Sequence, residues 1–155
     1  GALNKYLPKY VWRLGQKNCL ALLDGLENGD GSHNLEGSVC YYTSSTRLAN
    51  DVQRLALHCG YSGTIKLIRE AGHQTPIEGR MITTNADTLS VRIVKTKNEP
   101  TVNHGHVHQQ EIQDERYVDY KGKVVCFEIP NTHLFYYKKH VLEPPVWTGN
   151  SSRAG

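Results

Sequence analysis

The sequence predicts an α+β fold, and three observations carry that prediction. In "GQKNCLALLDGLENGDGS", Leu20, Leu22, Leu23 and Leu26 sit among small residues with few breakers before Gly25. In "STRLANDVQRLALHCG", Leu48, Val52, Leu55, Ala56 and Cys59 fall at helical spacing. "GTIKLIRE" and "TLSVRIVKT" instead alternate apolar with polar residues, as half-buried strands do. Helices interleaved with strands in this order make an α+β unit.

Taken in chain order, the first helix is expected from about Gln16 to Gly29, with Gly31 as a left-handed cap. "SVCYYTSS" is rich in aromatic and β-branched residues and reads as a strand. The second helix has Ser45 as its cap and Gly60 as its stop. From Asn98 to Glu115 the chain turns polar and His-rich and reads as a connector. Beyond it, "GKVVCFEIPNTHLFYYKKHVLEPPVW" reads as strands with prolines at the turns and no helical period, which places a module boundary near Arg116.

Composition bounds the function. A chain of 155 residues holds one sizeable core and a small second module. With 38% hydrophobic and 21% charged residues it is globular material, not a disordered tail. A net charge of +3 with eight further histidines permits contact with nucleic acid without requiring it. Cys19, Cys40, Cys59 and Cys126 form no CxxC pair, which argues against a zinc ribbon or dithiol site and for free intracellular thiols, cytoplasmic or nuclear. No apolar stretch approaches the roughly 20 residues that cross a bilayer, so no membrane partner is expected. Asn150-Ser151-Ser152 matches a glycosylation acceptor in form, but no export signal accompanies it.

Ala21, Gly25 and Gly29 recur along one stripe of the first helix, where another helix backbone can approach closely. Glycine in a helix costs about 1 kcal/mol relative to alanine, so two of them need a return. Asp30 adds a carboxylate at the helix C-terminus, where the dipole already presents negative charge. A hard divalent cation, Mg2+ above all, reverses that penalty by taking carboxylate, carbonyl, water and phosphate oxygens.

Leu23-Asp24-Gly25-Leu26-Glu27-Asn28-Gly29-Asp30-Gly31 resembles the LAGLIDADG motif of homing endonucleases. Asp30 stands at the position of the metal-binding aspartate, and Asn28 where the family often has another. The following "YYTSSTRLANDVQRLALHCGYSGTIKL" is similar to the strand-helix-strand that succeeds the motif in intein-borne members. The resemblance implies helices on a curved antiparallel sheet laid over double-stranded DNA, with two motif helices packing on their small residues and two aspartates side by side. This sequence contains one such motif, hence half a nuclease site, to be completed by a second repeat or a second copy. Lys66, Arg69, Arg92 and Lys95 alternate with apolar residues and are the candidate DNA contacts, weighed equally against a plain solvated strand surface.

The C-terminal stretch is similar to the last two sequence blocks of inteins, the β-rich end of a Hint-type splicing domain. Cys126 and "THLF", with His133 and Phe135, match the penultimate block; Asn150 and Ser151 match the final one, whereas Gly149 stands where a histidine is usual. The resemblance implies that the Asn150 amide closes a succinimide on its own carbonyl and breaks the bond to Ser151, whose hydroxyl can carry the upstream segment as an ester. His133 is the candidate proton donor. Cys126 with Thr148 leaves open a variant class that uses such a pair. "SSRAG" resembles the host sequence after inteins in the second-largest subunit of RNA polymerases.

The expected organisation is therefore an endonuclease repeat with linker over 1–115, a splicing segment over 116–150 and host residues over 151–155. An intein opens with a Cys or Ser nucleophile and a Thr-x-x-His element; "GALNKYLPKY" has neither, so a fragment, a split C-terminal piece or a degraded copy is expected, with an N-terminal intein portion as partner. His104, His106 and His108 alternate but lack Cys or carboxylate at tight spacing, and a solvated linker strand outweighs a zinc site. Two rival functions stay open: a free-standing homodimeric DNA endonuclease, and a non-catalytic nucleic-acid-binding module.

Overall fold

A computed structural model describes residues 1–33, 39–96, 117–125 and 127–149. They fall into two compact units: the described residues of Gly1–Asn98 together with Tyr137–Val146, and the described residues of Glu99–Tyr136 and Trp147–Gly155.

The first unit is two helices on a sheet. Helices α1 (Gln16–Asp30) and α2 (Thr46–His58) accompany β1 (Gly31–His33), β2 (Val39–Thr43), β3 (Ser62–Arg69) and β6 (Thr88–Val94), which form an antiparallel sheet in the order β1-β2-β6-β3. A separate hairpin, β4 (Gln74–Ile77) with β5 (Arg80–Thr83), is inserted between β3 and β6. The second unit carries most of the pair β7 (Leu134–Tyr137) and β8 (Val146–Gly149).

Helix α2 starts where expected. The Ser45 hydroxyl accepts from the Leu48 amide at 3.2 Å, satisfying one of the donors a helix start leaves open. At its other end Gly60 takes φ +83°, and the Tyr61 amide donates back to the Ala56 carbonyl. Its apolar face buries Leu48, Val52 and Leu55 against Ile65, Leu89, Val91 and Ile93 of the sheet. Each such side chain removed from water contributes about 1.5–3 kcal/mol.

Strand parity then divides the sheet into two faces. Leu89, Val91 and Ile93 of β6 are buried under the helices, so Ser90 and Arg92 point the other way. The register Thr64↔Arg92 and Lys66↔Ser90 puts Lys66 on that outer face. Arg69 would face inward by simple alternation with Ile65 and Leu67, but a bulge between Leu67 and Arg69 pairs it with Thr88 and returns it to the outer face.

The first residues form an arm clasped to α2. The Leu7 amide donates to Asp51 at 2.9 Å, and the Ser45 hydroxyl donates to the Lys5 carbonyl at 2.7 Å. The guanidinium of Arg47 lies 4.0 Å above the Tyr6 ring, and that of Arg54 lies 4.1 Å above Trp12. Leu7 and Val11 join the core from this arm.

Three expectations differ from what is observed. Helix α1 runs to Asp30, and Gly31 has φ −94°, ψ 157°, so it opens β1 in an extended conformation and is no left-handed cap. A Cβ at Gly31 would collide with the Glu27 carbonyl, which is why glycine stands there. The β4–β5 hairpin was not expected; its turn places Glu78 and Gly79 at positive φ. Among the described residues, Val124, Val125 and Phe127 form no strand and are exposed.

Candidate active site

The end of α1 creates the site. Residue Asp30 is the last of the helix and is exposed. Because β1 follows at once and pairs Gly31 with Tyr41, the Tyr41 side chain is brought to the helix end. Its hydroxyl is hydrogen-bonded to Asp30. Burial, then the Asp30 charge and that hydrogen bond, push the Tyr41 phenol above its ordinary range.

Asp30 and Tyr41 line a cleft of about 410 Å3 whose opposite wall is the N-terminal arm, with Lys5, Tyr6 and Leu7. Among the described residues that line it, Lys5 is the cation that shares the cleft with Asp30. Sequence reading passed it over, since nothing in local spacing shows that Asp51 and Ser45 draw the arm to this place. Tyr41 was legible only as a strand residue.

The neighbouring carboxylate points elsewhere. Glu27 is 2% exposed and its Oε2 meets Lys95 Nζ at 2.7 Å. Among the described residues its other oxygen has no hydrogen-bond partner. Lys95 follows β6 in the same parity as Ile93, so it lies toward the helices and does not share the outer face of Lys66, Arg69 and Arg92. Cys59 is buried beside this pair; burial first, then Cys19 and Glu27, push its thiol up to about 11, against the pull of Lys95. Cys19, Cys40 and Cys59 are free thiols.

On the side of α1 away from the core, a Cβ at Gly25 or Gly29 would meet nothing within 4 Å. The small-residue stripe is open. Asn28 bonds within its own helix, its amide donating to Asp24 at 3.3 Å.

Among the described residues no group of three or more His, Cys, Asp or Glu side chains is arranged to hold a metal ion. Among the described residues that line the cleft, Asp30 is the one carboxylate, which fits one ligand of a shared site and not a complete cage.

In the C-terminal pair, His133 is exposed at φ +53°, just before β7. Its backbone carbonyl lies 3.0 Å from the position of a Cβ at Gly149, so a side chain at 149 would press on the His133 backbone. Thr148 is half-buried in β8. Asn150, Ser151 and Cys126, like His104, His106, His108 and Arg116, lie outside the described residues.

With this geometry in view, the model of the LAGLIDADG-like domain matches residues 17–99, more than half of the chain. The chain belongs to the LAGLIDADG-like domain family. The match takes in α1, the sheet and α2, so Asp30 sits in the family segment, whereas the arm bearing Lys5 and the β7–β8 pair lie outside it. The DNA-directed RNA polymerase subunit beta C-terminal section of Stigeoclonium helveticum is 32% identical over 176 aligned residues, which cover 96% of this chain and 16% of that protein. The ATP-dependent Clp protease proteolytic subunit of Chlamydomonas moewusii is 47% identical over 75 residues, 43% of this chain and 7% of its own. The iron-sulfur cluster assembly SufBD family protein ML0593 of Mycobacterium leprae is 29% identical over 89 residues, 57% of this chain and 10% of its own. The chain therefore spans a small part of each of these relatives. No solved structure matches. No helix among the described residues is long and apolar enough to cross a membrane.

Proposed function

We propose that the chain is the C-terminal portion of a self-splicing intein that carries half of a DNA homing-endonuclease site, lodged in an RNA polymerase second-largest subunit. The observation that carries this reading is the distribution of likeness. A polymerase subunit section, a protease subunit and a cluster-assembly protein share no activity in name, yet each resembles this chain over only 7–16% of its length. A segment recurring at so small a share of unrelated proteins behaves as an inserted element.

For DNA cleavage, the Asp30 carboxylate would hold a divalent cation such as Mg2+ together with a second repeat's aspartate. When bound, that ion supplies positive charge beside the scissile phosphate. The Tyr41 hydroxyl fixes the Asp30 carboxylate, and Lys5 offers a second positive charge to the phosphate across the cleft. Lys66, Arg69 and Arg92, on the outer sheet face, neutralise backbone phosphates. The open side at Gly25 and Gly29 supports packing on a second motif helix. It equally favours a second reading, two copies of this chain completing one site, which light scattering separates by mass.

For self-cleavage, the Asn150 side-chain nitrogen attacks its own backbone carbonyl carbon. The bond to the Ser151 nitrogen breaks, that nitrogen takes a proton, and a succinimide remains. His133 supports this role through its place beside Gly149, one residue before Asn150.

The test of the nuclease half pairs the chain with a second LAGLIDADG repeat and selects cleaved duplexes from a randomised DNA pool. Cleavage is expected with Mg2+ and not with chelator or in Asp30→Ala. Cleavage undiminished in Asp30→Ala would overturn the assignment.

A further inference from the structure

Arg47, Asp51, Arg54 and His58 recur along α2 at the spacing of one helix face, and that face is turned away from the sheet, because Leu48, Val52 and Leu55 occupy the buried side. The N-terminal arm is laid along this stripe. Tyr6 holds the Arg47 guanidinium 4.0 Å from its ring centre, the Asp51 carboxylate accepts from the Leu7 amide, and Trp12 meets Arg54 at 4.1 Å and the His58 ring at 5.6 Å. Arg47 and Arg54 stay exposed all the same. A guanidinium stacked on a ring has one face covered, while its N–H donors radiate in its own plane and stay available to an anion.

The surface carries one sign of charge. Residues 1–23 hold Lys5, Lys9, Arg13 and Lys17 and no carboxylate. In α2 the one carboxylate, Asp51, is already engaged by the Leu7 amide. Within the 3-10 helix Lys9–Arg13, Val11 is buried and anchors the turn, which leaves Lys9, Tyr10 and Arg13 exposed. Residues three apart eclipse one another in such a turn, so Tyr10 and Arg13 share a side. Tyr10 is 66% exposed and Tyr6 53%, two aromatic side chains left in water among cations.

Cations select a polyanion, and bare rings among them select one whose bases are free to stack. A duplex keeps its base faces inside, whereas an unpaired strand offers phosphates and base faces together. RNA recognition draws further on the 2′-hydroxyl; cations and rings ask for nothing beyond what DNA supplies. We infer a second nucleic-acid site, separate from the outer sheet face: Tyr6, Lys9, Tyr10, Arg13, Arg47 and Arg54 bind single-stranded DNA, the cations on its phosphates and the tyrosines against its bases. Lys66, Arg69 and Arg92 stand on the far side of the sheet from α2, so this surface acts independently of them and of any duplex they engage.

The test is fluorescence anisotropy of a short labelled oligo-dT with the full chain, in chelator, over a salt series. Binding is expected, and it weakens with salt as phosphate neutralisation requires. Tyr10→Ala is expected to cost at least about fivefold in affinity with the salt slope kept, since a stacked base is lost and no charge is. Tyr10→Trp retains the affinity, and Lys9→Gln lowers the slope by about 0.7. Thermal melts of these variants match the parent's. A parent chain that leaves the oligonucleotide unbound overturns the site, as does parent-like affinity in Tyr10→Ala or an unchanged slope in Lys9→Gln. Displacement of the oligonucleotide by polyglutamate or by anionic phospholipid vesicles at matched charge overturns it too, since the surface would then read charge alone. An oligo-U bound about tenfold more tightly overturns DNA as the occupant.

Discussion

The Tyr41 hydroxyl is hydrogen-bonded to the Asp30 carboxylate, across a register in which Tyr41 is the strand partner of Gly31. The pairing of β1 with β2 therefore delivers both the carboxylate and the group that fixes it. Tyr41→Phe keeps the buried ring and removes a hydrogen bond to a charged group, about 1.5–3 kcal/mol of orientation. Its expected effect is cleavage slowed at least about tenfold with the fold retained, read as cleavage rate beside a thermal melt; parent-like cleavage would separate Tyr41 from the site.

The Glu27–Lys95 pair predicts an asymmetry between single and double variants. Lys95→Met leaves the Glu27 carboxylate buried without its cation and is expected to destabilise by about 3 kcal/mol, somewhat less to the extent that Lys95 is solvated. Glu27→Leu with Lys95→Met removes both charges and is expected to be near neutral or stabilising. Urea denaturation of the three variants measures this directly. Equal losses in single and double variants would mean that the pair is not what matters at this position.

The open stripe on α1 gives opposite signs for stability and function. Gly25→Ala and Gly29→Ala meet no neighbour among the described residues, so each should stabilise the chain by up to about 1 kcal/mol through helix propensity. If a second helix backbone packs there, larger changes such as Gly25→Leu leave the melt intact and abolish cleavage by the paired site. Gly31→Ala behaves differently, because its Cβ collides with the Glu27 carbonyl, and it should destabilise the end of α1.

Cys59 sets an alkaline limit. Its folded pKa, about 11, lies above the ordinary thiol value of 9.0, so the unfolded chain ionises first and the folded state holds the proton more tightly. The associated stability is complete below pH 9.0 and is lost as pH rises through about 11. Denaturant unfolding over that range should show the decline, and Cys59→Ala should remove most of it. The raised pKa of Tyr41 leaves a further decline above pH 10.0.

How much of this was legible depended on whether the signal was local. Ser45 and Gly60 bound α2 in sequence as they do in space, because caps and left-handed stops are local chemistry. Strands β3 and β6 declared themselves by alternation, and β2 by its aromatic and β-branched residues. The β4–β5 hairpin was hidden by Pro76, which reads as a strand breaker, although Glu78-Gly79 is a two-residue turn of the kind hairpins use. Lys95 was grouped with the outer-face cations because polar and apolar residues alternate around it, yet counting from Ile93 puts it on the helix side. Arg69 reached the outer face only through a bulge. Lys5 joins Asp30 through contacts with residues some forty positions away, and no window along the chain contains that information.

The account stands most directly on the bond between Asn150 and Ser151. Mass spectrometry of the full chain, incubated with a matched N-terminal intein piece, should show Ser151–Gly155 leaving and a succinimide remaining, with Asn150→Ala inert. A tail still attached after long incubation, or shed as readily by Asn150→Ala, would contradict it.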